Sequence, residues 1–334
     1  MRASFSLFLF FFFVALNQSW SQADSSYIRN YPNELQALST IRYSQSNIGI
    51  SGHRNGDLGF EQGGVSVGAR VRFGNWQVAV MAPTRLFSAN RKGRSLGFQL
   101  QLFPKHFLLN AGAIRKTGFQ DIEAGQDIIT NQPINRNMKM WHFYVNPIYV
   151  LSDDKFSLRS TMQFTQRQLK SSGSFLGSLR SEYLRLSSES LIPENNSASN
   201  NAFTGYNFLQ NGIEIGYAYN LVFLDGAFIS AMATGGVAHT KTSYNLDEEK
   251  YAFQQWQFVP AANFNVSAGY NGDKYVAALR FNYRQRNIHS ENIEMNVNDW
   301  SVQLTCGFRL YAPQIRRKLD QQGARFAQHF VPVR

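Results

Sequence analysis

The segment FNVSAGYNGDKYVAALRF, residues 264–281, decides the fold class. Apolar and polar side chains alternate on both sides of a Gly272-Asp273 turn, which is the pattern of two antiparallel β-strands with one apolar face. The apolar face carries Phe264, Val266, Ala268, Tyr270, Tyr275, Ala277, Leu279 and Phe281. Whether this face meets a protein core or lipid depends on the rest of the chain.

The amino-acid composition favours lipid, and not a protein core, as the surrounding of this apolar face. Of the 334 residues, 16% are charged and 14% are aromatic, whereas about 25% are charged in a typical soluble domain. Beyond the first residues, no apolar run reaches the roughly 18 residues that a membrane helix needs. Cys306 is the sole cysteine, so no internal disulfide can form. The chain is therefore expected to cross a membrane as β-strands.

The same two-residue period recurs from about residue 35 to residue 311, with short turns and longer polar segments in strict alternation. This arrangement predicts an all-β fold, a transmembrane antiparallel barrel of twelve strands with short periplasmic turns and long outer loops. Aromatic residues flank each short turn, as in the girdle of such barrels. The predicted strands are 35–51, 58–73, 76–85, 94–103, 106–118, 138–152, 155–169, 208–224, 227–244, 256–271, 274–289 and 298–311.

Four segments follow from this assignment. Residues 1–21 have the charge, apolar run and small residues of an export signal, cut after Ser21 or Ala23. Residues 22–34 form a periplasmic N-terminal segment, and 35–311 form the barrel. Residues 312–334 are a basic tail, read either as a frayed end or as an amphipathic helix on anionic headgroups. The expected location is the outer membrane of a Gram-negative bacterium.

The polar rows would face the lumen, and they are mostly basic. One reading is a narrow pore, or a ring of cations, for small anionic or polar solutes. The other is a closed lumen in which the arginines pair with acids and act as a scaffold. The lumen-lining candidates are Arg70, Arg72, Arg159, Arg167, Glu214, Arg280 and Arg284.

Three short motifs resemble one protein family. They are QRQLKSSGSFLGSL at 166–179, LIPEN at 191–195 and GYAYN at 216–220. The chain resembles the family called domain of unknown function 4421 over about 25–311, although the family's longer lysine-rich loop is reduced to RNMKM at 136–140. The resemblance implies an exported barrel of Bacteroidota, and it implies no activity.

The family motif comprises Lys170, Ser171, Gly173, Ser174 and Phe175. We place it, within 170–186, in the large outer loop, although this stretch also alternates well enough to be a strand. Its small residues could expose backbone N–H groups to an anion beside the lysine. The favoured interpretation is a turn that needs glycine.

No catalytic or metal-binding pattern stands out. The six histidines lack partners at a recognisable spacing, and there is no HExxH motif, EF-hand loop or phosphate-binding loop. We therefore expect a non-enzymatic barrel with no cofactor, no metal and no nucleic-acid partner. Outer-membrane lipid is the expected surrounding, and the protein partner is unknown. The alternatives are outer-loop binding, adhesion or envelope assembly, and, least favoured, a lipid-modifying enzyme.

Overall fold

Twelve long strands close into a single antiparallel β-barrel, as the sequence predicts. The computed structural model describes residues 24–31, 33–51, 58–73, 75–84, 93–103, 106–121, 135–187, 203–246, 249–257, 263–289 and 294–314. The predicted signal segment 1–21, most of the basic tail, and Pro260 lie outside these residues. Among the described residues, no helix is long and apolar enough to cross a membrane.

Neighbouring strands of the barrel are mostly consecutive along the chain, and the pairing of β10 (Phe203–Val222) with β11 (Ala227–Leu246) closes the ring. β1 (Ile28–Asn30) and β8 (Gln166–Gln168) form a separate two-stranded sheet, while β12 (Glu249–Gln257) pairs with the C-terminal part of β11. The strands are β1 Ile28–Asn30, β2 Glu34–Ser51, β3 Leu58–Phe73, β4 Trp76–Pro83, β5 Arg94–Leu102, β6 Phe107–Asp121, β7 Asn135–Val150, β8 Gln166–Gln168, β9 Ser172–Ser187, β10 Phe203–Val222, β11 Ala227–Leu246, β12 Glu249–Gln257, β13 Asn263–Asn271, β14 Tyr275–His289 and β15 Glu294–Tyr311.

The seventh strand of the barrel is not the one predicted. Residues 155–169 do not join the wall, and β9, which falls in the predicted outer loop 170–186, takes the place between β7 and β10. The total of twelve is unchanged because one alternating segment replaces the other. Pro147 does lie within β7, and the β7–β9 pairing has a gap at Asn146 and Pro147, as expected for a residue without an N–H.

The two ends of the barrel differ. At one end, which we call the short-turn end, brief connections such as 223–226 and 272–274 join neighbouring strands. Gly226 has a φ of 90° there, a conformation that glycine adopts without strain. At the other, the long-loop end, the described strands stop before longer segments such as 122–134 and 188–202.

The outward face is apolar from the short-turn end through the middle of the barrel. Ile215 and Leu279 are 74% and 53% exposed, and neighbouring outward positions are also apolar. Along each strand these outward positions alternate with inward positions, which are buried and mostly polar. We call this exposed band the apolar belt, because its outward apolar and inward polar rows are those of a barrel surrounded by hydrocarbon.

Toward the long-loop end the two faces exchange character. On β14 the outward row continues from Tyr283 to the polar Gln285 and Asn287, while Ile288 is inward and fully buried. We call this part of the barrel the collar. Its inward side chains pack together as the core of a soluble protein does, and they are Ile48, Ile50, Phe60, Phe119, Met138, Met140, Leu184, Leu186, Tyr206, Phe208, Ile288, Met295 and Val297.

Aromatic rings mark both borders of the apolar belt. Tyr275 lies at the short-turn border, and Tyr43 and Trp300 pack with ring centroids 5.3 Å apart at the collar border. Along β14, Tyr275 and Tyr283 are separated by roughly 26 Å of strand, or about 20 Å of height at the usual tilt. This height is close to the apolar band of about 25 Å found in outer-membrane barrels.

Candidate functional site

The lumen at the short-turn end is filled by residues 151–171, which we call the plug. The plug contains a short α-helix, Leu158–Met162, followed by β8. Ser157 caps the helix, since its Oγ accepts a hydrogen bond of 3.0 Å from the Ser160 N–H. Phe156 and Phe164 on either side of the helix are each 1% exposed. This segment is therefore an internal element rather than a barrel strand.

Side chains from the barrel wall satisfy the backbone carbonyls of the plug. Asn271 donates to the Ser160 carbonyl at 2.6 Å, and Arg280 donates to the Thr161 carbonyl at 2.7 Å. These are carbonyls at a helix end, which have no partner within the helix itself. Among the described residues, wall strands that hold the plug with polar side chains include those carrying Gln36, Arg72, Asn220, Ser230, Asn271, Arg280 and Arg309.

Apolar contacts fix the same segment. Phe156 and Leu158 pack with Phe103, Leu108 and neighbouring wall residues, whereas Phe164 packs with a second group that includes Phe228. Phe164 is the sole non-glycine residue with positive φ, 60°, among the described residues. A bulky residue costs roughly 1–3 kcal/mol in this region of backbone space. The Phe164 carbonyl accepts from Gln36 at 2.8 Å and from Arg309 at 2.7 Å, and these bonds stabilise the strained conformation.

Asp273 clamps the N-terminal strand and the plug to the β13–β14 turn. It accepts hydrogen bonds from the Tyr31 hydroxyl at 2.7 Å and from Arg29 and Arg167 at 2.7 and 3.1 Å. Burial raises the pKa of Tyr31 to about 12, and its hydrogen bond to Asp273 adds to the shift. Burial opposes ionisation of Asp273, but the bond from Tyr31 and the two guanidinium charges outweigh it and lower the pKa of this carboxyl.

Acidification should loosen this clamp. Because the folded pKa of Asp273 is lowered, its contribution is fully present above its ordinary value, 3.8, and is lost as pH falls through the lowered value. At neutral pH, Asp273→Asn should accelerate amide exchange at Leu169, whose N–H donates to the Tyr27 carbonyl at 2.7 Å. The Asp273 side chain is 52% exposed, so we expect an increase of up to about fivefold.

Hydrogen exchange measured by NMR at pH 7 and near pH 3 tests this. In the native protein the protection factor of the Leu169 amide should fall on acidification, and the mutant should lose most of this dependence on pH. If the protection factor of Leu169 changes equally with pH in the mutant and the native protein, Asp273 is excluded as the responsible group.

A second layer, of ion pairs, crosses the lumen between the plug and the collar. Glu182 on β9 binds Arg286 on β14, with Nε 3.1 Å from Oε1, and contacts His142 at 2.9 Å. Arg286 also binds Asp299 at 2.6 Å, and Lys116 reaches Asp299 from β6 at 2.8 Å. The Glu182–Arg286 and Lys116–Asp299 pairs join strands that are not neighbours in the ring. Their side chains therefore occupy the lumen rather than line an open channel.

Glu214 anchors a neighbouring part of this layer. It binds Arg180 at 2.7 Å, and it accepts hydrogen bonds from Thr234 and Asn263, each at 3.0 Å. Asn263 in turn accepts from Arg284 Nε at 2.9 Å. Burial of charges of both signs in one network is tolerated because nearly every charge has an opposite partner.

Comparison with known families identifies the chain. The sequence profile of the family described as Domain of unknown function (DUF4421) matches residues 22–310. The chain belongs to the DUF4421 family. A search of curated proteins found no significant match.

Several solved outer-membrane barrels are similar to this DUF4421 chain in fold. The outer membrane protease OmpT of Escherichia coli is 9% identical with a TM-score of 0.39, covering 83% of this chain and 96% of its own. An outer membrane channel from Pseudomonas putida is 12% identical with a TM-score of 0.37, covering 87% and 100%. The beta domain of the Bordetella autotransporter BrkA is 9% identical with a TM-score of 0.38, covering 82% and 99%.

The DUF4421 motif lies at the short-turn end, not in an outer loop as the sequence predicts. Ser171 and Ser174 bond the backbones of Val222 and Ser152, which fixes the point where the chain leaves the plug and enters β9. A Cβ on Gly173 would collide with the rings of Tyr217 and Tyr219, so a larger residue there would force these side chains to move. Lys170 lies over the Tyr27 ring, 5.0 Å from its centroid. The motif LIPEN lies outside the described residues.

The predicted lumen residues divide between two elements. Arg70, Arg72, Glu214, Arg280 and Arg284 belong to barrel strands and point inward. Arg159 and Arg167 belong to the plug, which corrects their placement on a wall strand. Arg167 binds Asp225 and Asp273, while Arg159 lies over the Phe103 ring at 5.4 Å.

Sequence reasoning missed the centre of the ion-pair layer. Glu182 lies in the segment assigned to a loop, so its direction could not be inferred. Arg286 and Asp299 share the inward parity of Arg284 and Ser301, which was an available signal. Among the described residues, no group of three or more His, Cys, Asp or Glu side chains could hold a metal ion.

Proposed function

We propose that this DUF4421 protein is an outer-membrane barrel that acts as a closed scaffold. It would hold the collar and the attached loops on the outer side of the membrane without passing solutes. The apolar belt with its aromatic borders supports a membrane location, and the polar outward face of the collar supports its projection into water. The plug is the main observation behind the closed state.

Three layers of this chain's own side chains obstruct the lumen in succession. The plug fills the short-turn end, the ion pairs of Glu182 and Arg286 cross the middle, and the apolar core of the collar fills the long-loop end. A pore needs a continuous polar path whose binding sites release the solute. Of the two readings of the basic lumen, this arrangement favours the scaffold over the pore.

Planar-bilayer recording tests the closed state. The refolded native protein should give no stepwise conductance. Different gel migration before and after boiling confirms that the protein in the recording is folded. A porin preparation inserted under the same conditions is the positive control. Reproducible conductance steps from the native protein would reject the scaffold in favour of a pore.

Thiol labelling tests the plug itself. In a Cys306→Ser background, Ser230→Cys should react slowly with a water-soluble maleimide, because Ser230 is 5% exposed and contacts Thr161 of the plug. Val150 pairs with Leu176, so residues 153–173 can be replaced by an Asn-Gly turn that makes a plain hairpin. We expect labelling to accelerate at least tenfold without the plug. Equal rates in two folded barrels would contradict a sealing role.

A further inference from the structure

Three arginines occupy the space between the plug and the ion-pair layer. On β2, Arg42 lies between Gln36, which bonds the plug, and Ser46, which bonds Asp299. On β14, Arg280 is bonded to the plug, four residues before Arg284 of the ion-pair layer. In the register of the sheet, Arg42 and Arg280 both lie opposite Gln303 of β15, and Arg70 points inward from β3, the strand that pairs with β2. We call Arg42, Arg70 and Arg280 the arginine cluster.

These charges have no acidic partner among the residues that the structure describes. Arg70 and Arg280 are 5% and 8% exposed, yet no carboxylate among the described residues forms an ion pair with any member of the arginine cluster. The nearest hydrogen-bond acceptor of Arg42 is the neutral Gln303, at 2.6 Å. Elsewhere in the lumen, buried cations such as Arg180 and Arg286 are paired. The arginine cluster is therefore an exception within the same interior.

Several hydrogen-bond donors of the arginine cluster are also unused. Nε and Nη1 of Arg70 and Nε of Arg280 are buried without a partner. An unpartnered buried charge is costly, so such groups normally bind a counterion. Inward-facing Arg42 and Tyr144 keep accessible surface, so the lumen is not fully packed beside them. Gly112 lies beneath the Tyr144 ring, where a Cβ would be 2.6 Å from the hydroxyl.

We propose that the arginine cluster is a binding site for one small multivalent oxyanion of the phosphate or sulfate class. Guanidinium groups suit such ligands because their planar donors match tetrahedral oxyanions. The anion would offset the mutual repulsion of these three inward-facing cations and would accept hydrogen bonds from the unused donors of Arg70 and Arg280. The site lies above the plug, so the anion would be enclosed when the barrel folds.

Equilibrium dialysis with radiolabelled inorganic phosphate tests the proposal. The protein is refolded in detergent with phosphate present in a chloride buffer, so that the plug does not bar entry. We expect about one phosphate per folded barrel, with competition by sulfate but not by acetate. A folded native barrel that retains no phosphate would overturn the proposal, and competition by acetate would reassign the ligand to the carboxylate class.

Two variants locate the site. Arg70→Met should weaken phosphate binding at least tenfold, whereas Arg185→Met, at an exposed outward position, should leave it unchanged. If Arg70→Met does not fold, Arg42→Met at the half-buried member replaces it. Phosphate should also raise the urea midpoint of the native protein but not of the Arg70 variant. Equal binding and equal stabilisation in both proteins would place the phosphate elsewhere.

Discussion

Replacing Glu182 with Gln is expected to destabilise the barrel by about 3–5 kcal/mol, because it removes the buried acid between two cations. The Glu182 side chain is 0% exposed, Arg286 is 2% exposed, and Arg284 lies 3.7 Å from the same carboxylate. Without the negative charge, Arg284 loses its acidic partner and Arg286 depends on Asp299 alone. Urea unfolding in lipid vesicles, followed by tryptophan fluorescence, measures the loss.

A double mutant separates charge pairing from loss of shape. Glu182→Gln combined with Arg286→Met removes both charges. We expect its loss of unfolding free energy to be smaller than the sum of the two single-mutant losses by at least about 1 kcal/mol. Glu61→Gln, on the outward face of the collar, is the control and should change stability by less than about 0.5 kcal/mol. Strict additivity in the double mutant would show that the pair contributes little coupling energy.

Replacing Leu279 with Arg should destabilise the protein in lipid vesicles by about 2–4 kcal/mol, the usual effect of a charge on the lipid face of a barrel near the bilayer midplane. Asn287→Arg is the matched control on the same outward row of β14, eight residues toward the collar. If the faces exchange character near Tyr283, the control lies in water or at the interface and should cost about 0–1 kcal/mol.

The comparison tests the membrane position directly. Guanidinium unfolding of both variants in phospholipid vesicles gives the two free energies, and gel migration before boiling confirms that both fold. Equal effects at Leu279 and Asn287 would mean that hydrocarbon does not surround the apolar belt. A larger effect at Asn287 would indicate that the membrane surrounds the collar instead of the apolar belt.

The arrangement of the lumen explains how one chain combines two kinds of interior. If the apolar belt lies in the membrane as proposed, its outward side chains face lipid, so the interior can be polar, and charges such as Arg180 and Glu214 pair there. In the same arrangement the outward side chains of the collar face water, and apolar residues such as Phe208 and Met295 are buried inside. The solvent outside thus decides the chemistry inside at each level of the barrel.

Local sequence could not choose between the two candidates for the seventh strand. Residues 155–169 and 172–187 both alternate apolar and polar side chains, so periodicity is the same evidence for each. β9 joins the ring because it pairs with both β7 and β10 over most of its length. Residues 155–169 can then remain inside, where Phe156 and Phe164 are covered and wall side chains bond the backbone.

By itself, the sequence determined the barrel, the number of its strands and the outward apolar rows such as Tyr275 to Phe281, because a two-residue period can be read within each segment of the chain. Only the tertiary structure decided the plug, the collar and the ion-pair layer. Glu182 and Arg286 are 104 residues apart in sequence, and Arg280 meets the plug across 119 residues. Such contacts exist only once the ring has closed, since closure brings inward side chains of distant strands into one small space.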